Sequence, residues 1–197
     1  DLMMGLVGSE MCIRDSAEKG YNLVPNPYPS AIDWDASSGW NRSELTSAIW
    51  TWNQNAGNYS AYVNGGSVNG GSRFIPAGQS FFVQTTANLP FSMNNEVRLH
   101  SNAGFAKSTE TEVNSLYLLA EANNYSDELL VRFNGSATGN YDTEWDAHKI
   151  EGTSEAPQFG SVSNDGHSLS INTLQASGAE EIIPLNFTLH SNSVVTF

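Results

Sequence analysis

Cysteine occurs once in this 197-residue chain, at Cys12, which excludes an internal disulfide framework and a multi-thiolate zinc site. Basic residues are nearly as scarce: 8 Lys plus Arg stand against 21 Asp plus Glu, for a formal charge of -13 and a pI near 4.4. That balance argues against sequence-independent binding of nucleic acid or anionic membrane and favours solubility or attraction of cations. No apolar run approaches the roughly 18 residues that a membrane-spanning helix needs, so membrane insertion is not expected. The four histidines, His100, His148, His167 and His190, show no metal-ligand spacing. Neither a Gly-x-Ser-x-Gly elbow nor a phosphate-binding glycine loop nor a dinucleotide fingerprint is present.

Methionine is unevenly placed. Met3, Met4 and Met11 lie with Cys12 before position 17, and the remaining 181 residues hold only Met93. The stretch LMMGLVGSEMCIRDS, Leu2 to Ser16, resembles the conceptual translation of a sequencing-library adapter, MCIRDS being its most specific part. A signal-peptide tail is the competing reading, but the run lacks a basic n-region and Glu10 follows its apolar part at once. Residues 1–16 are therefore expected to be an artefactual segment, disordered or non-native. Setting aside Asp1, Glu10, Asp15 and Arg14 leaves 18 acidic against 7 basic residues, so the acidic character stands.

What remains reads as β structure. Hydrophobic residues make up 39% and charged residues only 15%, with Asn, Ser, Thr and Gly filling much of the rest, a composition of strands and turns rather than of coiled coil. Alternating or continuous β-type runs cover 21–24, 48–52, 60–63, 80–86, 89–93, 116–121, 128–133, 168–171, 182–189 and 194–197. Between them stand Asn64-Gly-Gly66, Asn69-Gly-Gly71, Pro76-Ala-Gly78, Asn134-Gly135 and Asn164-Asp-Gly166, whose glycines suit the positive φ of tight reversals. Local reversals imply antiparallel pairing. Ser43 to Ala48, with Ser43 as N-cap, is the one helical candidate. The polar stretch 101–113 reads as a linker between a Trp-rich β domain, 17–100, and a β-sandwich domain, 114–197. The expected class is all-β, an antiparallel sandwich architecture of two packed units. The abrupt end at Phe197, inside an apparent strand, is read as the edge of a longer protein.

Two groups of side chains are candidates for function. Trp34, Trp40, Trp50 and Trp52 lie within nineteen residues, interleaved with Asp33 and Asp35, and aromatic faces beside polar acceptors can bind sugar rings. Trp50 and Trp52 alternate about Thr51 and share one strand face, so the plainer alternative buries them. Only an exposed coplanar pair would favour a glycan. Asp142, Glu144 and Asp146 alternate as oxygen donors to calcium do, the one cofactor entertained, although the glycine and distal glutamate of an EF-hand loop are absent. Solvated or turn-capping carboxylates are the competing account. The three prolines of Val24-Pro-Asn-Pro-Tyr-Pro-Ser30 fix φ and remove backbone donors, making a rigid extended segment that either presents Tyr28, Trp34 and Trp40 or is pinned by them.

Taken together, GYNLVPNPYPSAIDWD, AIWTWNQNAGNYSAYVNG, RFIPAGQSFFVQ, NNYSDELLVRFNGSATGNYDTEWDAHKIEG and SVSNDGHSLSIN resemble the region upstream of the C-terminal sorting domain in large proteins exported by the bacterial type IX secretion system. The anchors are Asn26-Pro-Tyr-Pro-Ser30 with Asp33-Trp34, then Pro76 to Phe82, then Asp127, Phe133, Asp142, Asp146 and Ala147. Pro25 departs from the pattern, which has Gly before Asn-Pro. The resemblance covers residues 19–197 and implies an all-β region, an extracellular or outer-surface location, and export machinery engaged through a sorting domain outside this chain. It implies no catalysis. The reading that follows is a non-catalytic structural spacer or adhesion segment, with an extracellular glycan or surface polymer as partner. The alternatives are a carbohydrate-binding module using exposed Trp side chains, or an accessory part of a secreted hydrolase.

Overall fold

A computed structural model describes residues 9–12, 20–87, 90–99, 114–176, 181–191 and 193–197. The expected linker 101–113 lies outside them, as do His100 and most of residues 1–16. The strands in chain order are β1 Ser9–Cys12, β2 Tyr21–Pro25, β3 Ile32–Asp33, β4 Trp40–Asn41, β5 Leu45–Asn53, β6 Asn58–Val63, β7 Gly66–Val68 and β8 Phe74–Ile75. They continue with β9 Ser80–Thr85, β10 Pro90–Met93, β11 Ser115–Ala122, β12 Tyr125–Phe133, β13 Ala147–His148, β14 Gln158–Val162, β15 Ser168–Leu174 and β16 Leu185–Thr188. Among the described residues the helical structure is a single 3-10 turn, Asn95–Val97, capped by the Asn94 side chain accepting from Glu96 N. The protein is all-β, as its alternation predicts.

The chain divides into two compact units that are not consecutive halves. The first takes residues up to Thr46 and Arg73–Ala106; the second takes Ser47–Ser72 and Lys107–Phe197. The division differs from a boundary at 101–113, because β6, β7 and the greater part of β5 belong with the C-terminal strands. Their turn side chains explain it: Asn58 and Asn69 bond to residues of β12, some sixty positions further along.

In the first unit β2 pairs antiparallel with β9, β3 with β8, and β10 lies between β1 and β4. Ser9–Cys12 thus form a paired strand within the segment expected to be disordered. Ser43 to Ala48 is not helical: Ser43 and Glu44 make a turn closed by Leu45 N donating to Arg42 O at 3.1 Å, and β5 begins at Leu45. β-branched Thr46 and Ile49, both buried in that strand, suit its pleat better than a helical turn. In the proline loop Asn26, 4% exposed, supplies the ladder groups that Pro25, Pro27 and Pro29 cannot. Its Nδ2 lies 2.9–3.1 Å from the carbonyls of Ser30, Ile75 and Pro76, and its Oδ1 accepts from Tyr28 N. Tyr28 is buried, so the loop is pinned rather than presented.

In the second unit β5, β6 and β7 form a meander turned at Asn64-Gly65, both with positive φ. The larger sheet runs β11-β12-β15-β14-β16, with β13 also pairing β15. One of its pairings, β12 with β15, is parallel, an addition to the antiparallel pairing expected from the local reversals. A parallel neighbour requires a crossover, and the chain through β13 and β14 provides it. One hydrophobic cluster gathers Ala120, Leu129, Val131, Phe159 and Leu174. The last expected strand, 194–197, is reduced to one bridge, Thr196 with Glu121.

Candidate functional site

The tryptophans do not form one face. Trp34 is 1% exposed and packs edge-on against Trp40 and Phe81, with the Arg42 guanidinium 4.3 Å above its ring. Trp40 stacks on Phe91, and its indole N–H donates to Asp33 O at 3.0 Å. Asp33 and Asp35 do not line a sugar cleft either. Asp33 takes a two-point bond from Arg73, and Asp35 lies 3.8 Å from the same guanidinium. Trp34 is core of the first unit and Trp40, half-buried, packs against it, each edge-to-face pair adding roughly 0.5–1.5 kcal/mol beyond its burial.

In the second unit Trp50 is also 1% exposed, its indole N–H donating to His148 O at 3.0 Å. Trp52, on the same strand face two residues on, is 46% exposed and meets its cross-strand partner Tyr59 at an interplanar angle of 72°. Of the four candidates, Trp52 alone is both exposed and large-faced. Its aromatic neighbour is perpendicular to it, so the two rings do not make a flat platform.

The acidic trio separates in the same way. Asp146, fully buried, accepts from Thr173 N at 2.7 Å and from Asp142 N at 2.8 Å. Burial pushes its carboxyl up to about 6, against the pull of those two backbone donors, with the Asp142 charge adding to the rise. Asp142 accepts from Thr138 N at 2.6 Å. Glu144 is exposed, and its backbone carbonyl accepts from the Asn64 amide. Asp142 and Asp146 are turn caps whose oxygens face backbone N–H groups. Among the described residues no group of three or more His, Cys, Asp or Glu is arranged to hold a metal.

Two constellations appear that sequence spacing did not reveal. On the surface, antiparallel β13 and β15 bring together His148 and His167, whose Nε2 and Nδ1 lie 3.2 Å apart. Tyr141 packs on His148 at 4.0 Å between ring centres. Asp165 lies 3.7 Å from His167, its carboxyl held low first by the Ser163 hydroxyl. Across that bond one imidazole donates and the other accepts.

The other constellation is buried. Asp127 of β12 is fully enclosed; its Oδ2 lies 2.8 Å from Lys149 Nζ and accepts from Phe159 N at 2.7 Å, while Oδ1 accepts from the Asn69 amide at 2.8 Å. Lys149, its side chain 5% exposed, also donates to Asn58 Oδ1 at 3.3 Å and to Ile150 O at 3.2 Å. Asn58, fully buried at the start of β6, uses its amide nitrogen on Ser126 O and Pro157 O. Burial raises the Asp127 carboxyl above the ordinary range, with the Lys149 charge and the Asn69 bond opposing the rise. A wide sequence separation hid this group. Its one signal was the rarity of lysine in so acidic a chain, which names no partner.

Fold and site together define an all-β protein whose strongest polar features are internal. The chain belongs to a family described as a domain of unknown function, DUF8693, whose model matches residues 5–197. No curated protein and no solved structure is significantly similar to it.

Proposed function

We propose that this chain is a non-catalytic β module, a structural spacer or adhesion segment, of a secreted or cell-surface protein. The observation that supports the reading is how the side chains able to do chemistry are used. Asn26, Asn58, Asn69, Asp127, Asp142 and Asp146 all bond to backbone groups that the strands and turns leave over. Asp146, fully buried and accepting two short bonds from backbone N–H groups, is poorly placed to exchange protons with an external substrate. The extracellular location rests on the resemblance to the region preceding type IX sorting domains. Acidic composition and absence of a cysteine framework accord with it.

The test is incubation of the purified chain with a broad set of glycans, peptides and esters, alongside a glycan array probed with wild type and Trp52→Ala. No turnover and no Trp52-dependent binding are expected. Reproducible turnover abolished by one carboxylate substitution would replace the reading with an enzyme. Array binding lost in Trp52→Ala would replace it with a carbohydrate-binding module.

A further inference from the structure

We propose that Lys149 and Asn58 form an intramolecular isopeptide bond, with Asp127 as the proton-transfer group, so that the mature protein carries a covalent staple between β6 and the segment following β13. The three side chains come from separate parts of the second unit and converge with little solvent: Asn58 and Asp127 are fully buried and the Lys149 side chain is 5% exposed. Lys149 Nζ is 3.3 Å from Asn58 Oδ1 and 2.8 Å from Asp127 Oδ2, so the nucleophile already touches both the amide that carries the electrophilic carbon and the proton acceptor. The carbonyl carbon lies one bond, about 1.2 Å, beyond that oxygen. Holding the reactants at such range converts a sluggish aminolysis into an effectively unimolecular step.

The step balances without an external reagent. A first proton passes from Nζ to Asp127 Oδ2, freeing the nitrogen lone pair, which attacks Asn58 Cγ. The C–N bond to Nζ forms, Asp127 passes its proton to Nδ2, the Cγ–Nδ2 bond breaks and Nδ2 leaves as ammonia, and Asp127 takes the second proton that Nζ sheds as it becomes an amide nitrogen. Asp127 is suited to the relay because burial raises its carboxyl, bringing the protonated form within reach.

The surroundings hold the electrophile still. Asn58 Nδ2 is fixed between Ser126 O at 2.9 Å and Pro157 O at 3.0 Å, and Gly152 is pressed so close that a Cβ there would stand 2.3 Å from Asn58 Oδ1. Asn69 and Phe159 N–H orient the Asp127 carboxylate from the other side. The inference does not depend on where the protein resides or on its lacking activity.

Mass spectrometry of the full chain decides the matter. The intact protein is expected to be one ammonia lighter than its sequence, and proteolysis is expected to yield a branched peptide joining Asn58 to Lys149 with no tryptic cleavage after Lys149. Lys149→Arg and Asp127→Asn are expected to restore the full sequence mass. Wild-type protein of full sequence mass, cleaved normally at Lys149 after unfolding, would overturn the proposal, and that measurement needs no variant to fold. A deficit of one water mapped to Lys149 and Asp127 would overturn the assignment of Asn58 as the electrophile.

Discussion

Asn69 concentrates several demands on one side chain. Its φ is +52°, its Nδ2 donates to Tyr59 O at 3.0 Å and to Asp127 Oδ1 at 2.8 Å, and its Oδ1 accepts from Glu128 N at 2.9 Å. Asn64 occupies a similar left-handed turn position at φ +40°, but its amide bonds to the carbonyl of an exposed residue, Glu144. Comparing the two alanine variants separates side-chain bonding from backbone strain. Asn69→Ala is expected to lose on the order of 3 kcal/mol or more, since it leaves buried partners unsatisfied, and Asn64→Ala about 1 kcal/mol. Urea midpoints at unchanged slope report the difference; equal losses would show that the Asn69 network carries little. Both turns were legible from Asn-Gly-Gly, but the bonds of Asn69 were not. Its partners in β12 lie 58 and 59 positions away, and no local pattern specifies them.

At the level of elements, the strands found from sequence were those with several apolar or β-branched residues in a row, such as β5, β9 and β12. β14, Gln158–Val162, is not legible in the sequence because Gly160 interrupts it and Pro157 precedes it, although it pairs with β16 over four residues and with β15 over two. Gly160 has a purpose there: a Cβ would come within 2.8 Å of Leu169 O. The hairpin between β11 and β12 was also not marked as a turn, since it uses Asn123-Asn124 rather than Asn-Gly. Both residues have positive φ, 56° and 65°, and Ala122 pairs directly with Tyr125 across them. Such a two-residue reversal favours Gly at its second position. Asn124→Gly is expected to stay within about 0.5 kcal/mol of wild type, whereas Asn124→Val should cost about 1–2 kcal/mol through left-handed strain. Thermal melts of the two variants check this, and equal melting temperatures would exclude the turn geometry. Asn134-Gly135, in contrast, was expected to be left-handed and is a turn without any positive φ at either residue.

For the whole molecule, buried carboxyls set an unusual pH response. Asp146 has its folded-state value raised from 3.8 to about 6 by burial, so between those values the folded protein binds more protons than the unfolded chain. The stability it contributes is complete below about pH 4 and is lost as pH rises through 6; two pH units correspond to about 3 kcal/mol. Asp127 shifts in the same direction. Self-repulsion of a chain with net charge -13 acts with them as carboxylates ionise. The unfolding free energy of wild type minus that of Asp146→Asn is therefore expected to fall by about 3 kcal/mol from pH 4 to pH 7. Denaturation at several pH values reads this directly, and a flat or rising difference would remove Asp146 as the cause. In this acidic stretch buried Asp146 and half-buried Asp142 each accept from backbone N–H groups, an arrangement that alternating carboxylates in the sequence do not reveal.

The class of the molecule was set by short-range chemistry: alternating side chains want a pleated surface, and Asn-Gly pairs want a reversal, wherever they occur. Acidity and the lack of cysteine likewise follow from composition alone. Tertiary structure decided which tryptophans became core, why residues 47–72 joined the C-terminal strands, and that Asn58, Asp127 and Lys149 meet. Those outcomes depend on closing loops of tens of residues into one register, and a side chain's neighbours exist only after that closure.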